Sequence, residues 1–171
     1  MKQTLAFDVY GTLIDTSGVF ETLSEHIGPK ATAFMESWRQ KQLEYFFRRG
    51  LMGSYVDFSV CTLEALEYCC IKYRENLAAS AKDSLMTAYT KLPAFEDVHI
   101  ALPELKQDGH HLYAFSNGSP EAVNNLLKIN EIDKYFKGVV SAKSVQTFKP
   151  NPKVYEHFVE QAGSPKENSW L

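Results

Sequence analysis

Hydrophobic positions recur at helical spacing throughout residues 18–91, and no strand pattern appears in this block. Its first apolar stripe consists of Phe20, Leu23 and Ile27, and Gly28-Pro29 directly after it indicates a helix end. The later positions predict three further helices, over 31–49, 56–71 and 77–89, with Gly50 and Gly53 breaking the first of these three.

Short apolar runs flank this helical block and predict buried strands at 5–7, 111–115 and 138–141. Helices are predicted between and after the later strands. Pro103 suits the first turn of a helix that Gly109 closes, Ser119-Pro120 opens one that runs to about Ile129, and Asn151-Pro152 begins one that Gly163 ends. Strands alternating with helices predict an α/β fold, with a Rossmann-like parallel sheet and right-handed crossovers.

The order of these elements predicts two domains. Residues 1–15 and 92–171 would form the α/β core, and residues 16–91 would form an inserted α-helical cap. Because the insertion follows the tip of the first strand, we expect the cap to cover the strand tips.

Composition narrows the functional classes. The chain has 171 residues, 44% of them hydrophobic, and a net charge of −3 without a basic stripe, so a nucleic-acid partner has no electrostatic support. No apolar run approaches the length of a bilayer span, and the N-terminus lacks a signal-peptide pattern. We therefore expect a cytoplasmic protein with no membrane partner.

Metal ligands do not cluster in the sequence. Cys61, Cys69 and Cys70 lack zinc-site spacing and have no His pair nearby, so we predict that they are small core residues. The five histidines are scattered along the chain. No metal and no other cofactor is expected.

Asp8 interrupts the first predicted strand at its tip and is followed by a Gly-Thr turn. A carboxylate in this position costs free energy unless it is hydrogen-bonded or used, and ligands of open α/β sheets bind at the carboxyl ends of the strands. Asp8 is therefore a candidate covalent nucleophile. The alternative from position alone is an Asp that caps a turn.

Three segments carry a resemblance to a known family: Phe7-Asp8-Val9-Tyr10-Gly11-Thr12-Leu13, Ser116-Asn117-Gly118 and Lys149-Pro150. Together they resemble the haloacid dehalogenase superfamily, and within it the L-2-haloacid dehalogenases. Phosphatases of the superfamily usually carry a second Asp two residues after the nucleophile, where this chain has Tyr10. A halide leaves without a proton, so an aromatic residue at that position suits a dehalogenase.

The resemblance implies hydrolysis of short L-2-haloacids to 2-hydroxy acids of inverted configuration, through an ester on Asp8. Arg39, in the lid-helix segment Trp38–Tyr45, would receive the halide. Lys149 would keep Asp8 ionised, and Thr12 would orient its carboxylate. Contacts to the small-molecule substrate are implied for Tyr10, Gln40, Leu43, Phe58, Ser116, Asn117 and Tyr155.

The chain also departs from the pattern that it resembles. Dehalogenases of this kind continue past the segment resembling Glu167–Leu171 into the rest of a fourth strand, its tip, and a further strand and helix. The tip normally supplies a Ser, an Asn and an Asp to the active site. We therefore expect the last core strands to be missing, the hydrolytic step to be impaired, and the sheet edge beside Asp8 to be unpaired unless a homodimer covers it.

Two other functions stay open on the sequence. A catalytically inactive remnant would act through its free sheet edge or helical lid. A magnesium-dependent phosphatase would need a second acid, and Asp15 is a doubtful ligand because it follows the turn.

Overall fold

A computed structural model describes residues 2–171 and contains four strands and seven α-helices in that range. The strands are β1 Thr4–Phe7, β2 His111–Ser116, β3 Phe136–Ser141 and β4 Ser169–Trp170. The helices are α1 Phe20–Ile27, α2 Ala31–Met52, α3 Phe58–Tyr73, α4 Ala79–Ala88, α5 Val98–Gln107, α6 Pro120–Ile129 and α7 Pro152–Ala162. Short 3-10 helices lie at Thr16–Val19, Gly28–Lys30, Asp133–Tyr135, Ala142–Val145 and Lys166–Asn168.

The four strands form one parallel sheet in the order β3-β2-β1-β4. Thr4 of β1 pairs with His111 of β2, and Ser116 of β2 pairs with Ser141 of β3. Parallel strands need crossover connections, which the helices provide. The predicted α/β fold with a Rossmann-like sheet is confirmed.

The expectation for the last strands needs refinement. A fourth strand is present as two residues, with Thr4 opposite Ser169 and Leu5 opposite Trp170. The first half of the β1 edge is therefore paired within the chain. Pairing with β4 ends at Leu5, before Ala6 and Phe7, and association through that remaining edge stays a prediction.

Helices α1 to α4 all lie between β1 and β2 in the chain, where the helical cap was predicted. A continuous core of buried residues joins this block to the sheet, with Leu23 and Trp38 from the block and Leu112 from β2 in the same cluster. Cys61, Cys69 and Cys70 are buried, as predicted for small core residues. In the first helix Leu23 and Ile27 are buried, whereas Phe20 is exposed.

Two helix predictions were wrong in position. Gly50 does not end α2, which continues to Met52 and ends at Gly53 in the left-handed conformation, because packing outweighs the propensity cost of one glycine. Pro103 lies inside α5 rather than in its first turn. Val98 and Leu102 are both buried at i and i+4, and their packing draws the preceding turn into the helix.

None of the helices within residues 2–171 combines the length and the apolar character that a membrane span requires.

Candidate active site

Asp8 follows β1 directly and begins a tightly bonded turn. The carbonyl of Val9 accepts hydrogen bonds from the amides of Leu13 at 3.0 Å and Ile14 at 2.9 Å. Gly11, at φ +96°, adopts a conformation that L side chains rarely take, and its amide donates to the Ile14 carbonyl at 2.8 Å. The turn therefore holds Asp8 at the carboxyl end of a central strand.

Lys149 forms an ion pair with this carboxylate. Its Nζ donates to Asp8 Oδ1 at 2.7 Å and to the Phe115 carbonyl at 2.7 Å, and lies 4.7 Å from the centre of the Phe115 ring. The Lys149 side chain is 12% exposed and that of Asp8 is 45% exposed. Burial lowers the pKa of Lys149, and the Asp8 charge opposes part of that decrease. The contact orients Asp8 and leaves Oδ2 outside the ion pair.

Arg39 of α2 reaches the same region from the helical block. Its Nη2 donates to the Tyr10 carbonyl at 2.8 Å, and its Nη1 donates to Oε1 of Gln42. Gln42 is fully buried, and its Nε2 donates to Thr62 Oγ1 at 2.6 Å. The carbonyl end of this amide therefore holds the guanidinium, and its NH₂ end fixes Gln42 itself.

The role of Gln42 was not predicted from the sequence. It lies three residues after Arg39, a spacing that places both side chains on one helix face. That spacing was the available signal, but nothing in it distinguishes a buried glutamine from a solvated one.

The rings of Tyr10 and Phe58 stack, with centroids 5.4 Å apart and planes at 28°. Burial, with a further contribution from Tyr89, raises the pKa of Tyr10 to about 12, so its phenol is neutral at ordinary pH. A Cβ at Gly118 would lie 2.9 Å from Cε2 of Tyr10. The glycine that follows β2 thus makes room for the Tyr10 ring, a role not foreseen from the sequence.

Ser116 is the last residue of β2 and Asn117 follows it, and both present donors. The Ser116 hydroxyl accepts a bond from the Gly118 amide at 3.0 Å, so its own proton is available for another partner. Oδ1 of Asn117 accepts from the Lys149 amide at 2.7 Å, which directs its NH₂ group away from that loop. The β2 tip therefore offers hydrogen-bond donors beside Asp8.

These groups line an open cavity of about 330 Å³. One carboxylate and two cations line it, which gives its side chains a net charge of +1 and favours a small anion. Burial and the nearby Asp8 carboxylate raise the pKa of Tyr155, which also lines the cavity. The predicted residues brought together here are Asp8, Tyr10, Arg39, Leu43, Phe58, Ser116, Asn117, Lys149 and Tyr155.

Two predicted site residues lie elsewhere. Thr12 is exposed and is not among the residues that line this cavity, because the turn after Asp8 directs it to solvent. Gln40 is also exposed and lines a surface depression with Met35, Glu36 and Arg39, so Arg39 borders both this depression and the cavity. Gln40 itself is not among the residues that line the cavity with Asp8.

Within residues 2–171, no group of three or more His, Cys, Asp or Glu side chains is placed to hold a metal ion. Asp15, the candidate ligand of the phosphatase alternative, accepts bonds from the Ser17 amide at 2.8 Å and the Ser17 hydroxyl at 2.7 Å. Its carboxylate thus caps the 3-10 helix Thr16–Val19.

Comparison with known proteins gives consistent matches. A family model described as haloacid dehalogenase-like hydrolase matches residues 2–170. (S)-2-haloacid dehalogenase 4A of Burkholderia cepacia is 34% identical over an alignment of 171 positions, which covers 96% of this chain and 74% of that protein. (S)-2-haloacid dehalogenase of Pseudomonas putida is 36% identical over 166 residues, covering 97% and 73%. The solved structure of L-2-haloacid dehalogenase from Xanthobacter autotrophicus superposes with a TM-score of 0.92 at 30% identity, covering 99% of this chain and 69% of that one.

Proposed function

The chain belongs to the haloacid dehalogenase-like hydrolases, and on that premise we propose that it removes halide hydrolytically from short (S)-2-haloacids. The observation that carries the proposal is the Asp8–Lys149 ion pair at 2.7 Å, which faces a small cavity whose side chains carry a net positive charge. The relatives it resembles are named as (S)-2-haloacid dehalogenases.

The first chemical step is substitution at carbon. An oxygen of Asp8 attacks C2 of the haloacid, the new C–O bond forms, and the carbon–halogen bond breaks with its electron pair leaving on the halide. Oδ2 is the suitable atom because Lys149 engages Oδ1. No proton is transferred in this step, which is consistent with a neutral Tyr10 two residues after the nucleophile.

The substrate carboxylate binds at the β2 tip. Ser116 has a free hydroxyl proton and Asn117 has a free NH₂ group at this position, and Lys149 adds a positive charge. Hydrogen bonds to a charged acceptor are the strong class of such bonds, so these groups orient the acid and present C2 to Asp8.

Arg39 stabilises the leaving halide. Its guanidinium is permanently charged and is fixed by the Tyr10 carbonyl and Gln42, so little reorganisation is needed as negative charge develops. The apolar walls formed by Leu43, Phe46 and Phe58 limit the water that would otherwise compete for that charge.

The second step is hydrolysis of the ester. Water adds to Cγ of Asp8, the bond between Cγ and the esterified oxygen breaks, and the 2-hydroxy acid leaves with an oxygen that came from Asp8. One proton is released to solvent. Because inversion at C2 occurs only in the first step, the product has inverted configuration.

Chloride release from the L and D forms of 2-chloropropionate tests the proposal. We expect preference for the L form, and Asp8→Asn should lower the rate at least about a thousandfold. Asp15→Asn is the matched control and should keep the activity, because Asn also caps helices well. A single turnover in H₂¹⁸O should place the label on Asp8 and not on the product.

Three results would contradict the proposal. They are undiminished chloride release by Asp8→Asn, label that appears directly in the hydroxy acid, and EDTA-sensitive hydrolysis of p-nitrophenyl phosphate without chloride release. An inert chain that forms a stable complex with another protein would favour the interaction function instead.

A further inference from the structure

The stacked pair of Tyr10 and Phe58 separates the candidate active site from a second cavity. That cavity has a volume of about 550 Å³ and lies between α3, α4 and the start of α6. Of the residues that line either cavity, Tyr10 and Phe58 are the two that line both. The two rings therefore form the wall between a small charged cavity and a larger one behind it.

Contacts on each side hold this wall in place. Phe58 is 7% exposed and packs against Phe46 with centroids 5.5 Å apart, while Gly118 leaves just enough room for the Tyr10 ring. A stacked and enclosed pair of rings has little freedom to change rotamer. In this arrangement the two cavities stay separate.

The polarity of the first cavity fixes the direction of a bound acid. Asp8, Lys149 and the β2 tip occupy its polar side, so the carboxylate and C2 of the substrate lie there. The apolar lining consists of the rings and Leu43, with the Arg39 guanidinium bonded to the Tyr10 carbonyl beside it. A carbon chain extending from C2 therefore points toward Phe58, where the wall ends the available space.

We propose that the Tyr10–Phe58 pair sets the length of the 2-haloacid chain that this protein accepts, and that the second cavity receives a longer chain once the wall is opened. The inference deepens the proposed function and rests on it. Met86 and Ala122 give the second cavity apolar surface, while the carboxylates of Asp57 and Asp83 also line it and make it unsuitable for a second acid group. Each methylene that enters apolar surroundings adds about a fourfold gain in affinity.

Phe58→Ala tests this proposal, with Phe47→Ala as the matched control. Both changes remove a phenyl ring from the first cavity, but Phe47 does not line the second one. The measured quantity is kcat/KM for chloride release from (S)-2-chlorohexanoate divided by that from (S)-2-chloropropionate. We expect Phe58→Ala to raise this ratio at least about tenfold, and Phe47→Ala to change it less than about twofold.

A second substitution, added to the Phe58→Ala variant, fills part of the second cavity again. Ala122 lines the second cavity, so Phe58→Ala combined with Ala122→Leu should lower the ratio again. Phe58→Leu, which keeps most of the side-chain volume, should give a smaller increase and is informative if the alanine variant fails to fold. Thermal unfolding of each variant checks the fold.

Binding of the unreactive acids hexanoate and propionate, measured by calorimetry, separates this inference from the proposed function. If the protein releases no chloride, the proposed function fails, yet Phe58→Ala should still raise the affinity for hexanoate relative to propionate. An unchanged ratio in Phe58→Ala and Phe58→Leu, or an equal increase in Phe47→Ala, overturns the inference, since either result means that the chain extends elsewhere.

Discussion

Gln42 holds two neighbours at once, Arg39 through its carbonyl and Thr62 through its NH₂ group. We predict that Gln42→Leu lowers the free energy of unfolding by about 1–3 kcal/mol, because the buried Thr62 hydroxyl and the half-buried Arg39 guanidinium each lose one hydrogen bond. It should also lower kcat/KM for chloride release, since Arg39 loses its support. Gln40→Leu is the control on the exposed face and should stay within about 0.5 kcal/mol.

Denaturant unfolding and chloride-release kinetics on the two leucine variants check this prediction. Equal effects of the two substitutions would contradict the role assigned to Gln42 and would return Gln40 to consideration as a site residue.

Lys149 should determine the alkaline limb of the pH profile. Burial lowers the pKa of its ammonium from the ordinary value of 10.5, so the proton is lost at a lower pH than from a free lysine. Activity that needs this charge is therefore full at lower pH and falls as pH rises toward 10.5. The pKa of Tyr10, at about 12, lies above this range.

The measurement is kcat/KM for chloride release against pH, in the native protein and in Lys149→Arg. The arginine variant should be slower, but its kcat/KM should not decline as pH rises toward 10.5, because a guanidinium keeps its charge throughout this range. An unchanged limb in Lys149→Arg would assign the titration to another group.

At the scale of elements, the two glycines near the end of α2 have opposite roles. A Cβ at Gly50 would meet Phe148 at 3.8 Å, an ordinary contact, whereas Gly53 has φ +66°. We predict that Gly50→Ala stabilises the protein by about 0.5–1 kcal/mol through helix propensity, and that Gly53→Ala destabilises it by about 1 kcal/mol. Urea unfolding measures both, and stabilisation by Gly53→Ala would contradict the assigned helix end.

The helices were largely predictable because the residues that begin and end them are recognisable from the local sequence. Ser119 and Asn151 accept bonds from the amides of Ala122 and Lys153, as capping residues do, and Gly163 ends α7 in the left-handed conformation. The position of Pro103 within α5 and the continuation of α2 through Gly50 depend on packing against distant residues, which local sequence does not encode.

The residues of the candidate site also divide into those that the sequence and topology predict and those that depend on the folded structure. Asp8, Ser116 and Asn117 lie at the carboxyl ends of two strands of one parallel sheet, so their convergence follows from topology. Arg39 lies on a helix of the block between β1 and β2, and only the resemblance assigned it to the site. Thr12 was expected to orient the Asp8 carboxylate and the support of Arg39 by Gln42 was not foreseen, because a one-residue difference in a turn or helix changes the face that a side chain occupies.

For the whole molecule, the continuous core predicts one cooperative unfolding transition. Trp38 is fully buried in the helical block, and Trp170 lies 58% exposed at the sheet edge. In Trp170→Phe, fluorescence reports the helical block alone, and its urea midpoint should coincide with that of far-UV circular dichroism. Trp38→Phe is the complementary reporter. Separate midpoints would mean that the predicted cap unfolds independently.

The buried setting of Lys149 has a consequence for the lifetime of the alkylated protein. Conversion of Asp8 into a neutral ester would remove the negative charge that lies 2.7 Å from this ammonium, and the carboxylate of the bound acid would remain as its counterion. Once the hydroxy acid leaves, the largely buried ammonium would be unpaired unless Asp8 were ionised again, and an unpaired buried cation is unfavourable. Lys149 therefore favours the products of hydrolysis, in which Asp8 is again a carboxylate, over the covalent species.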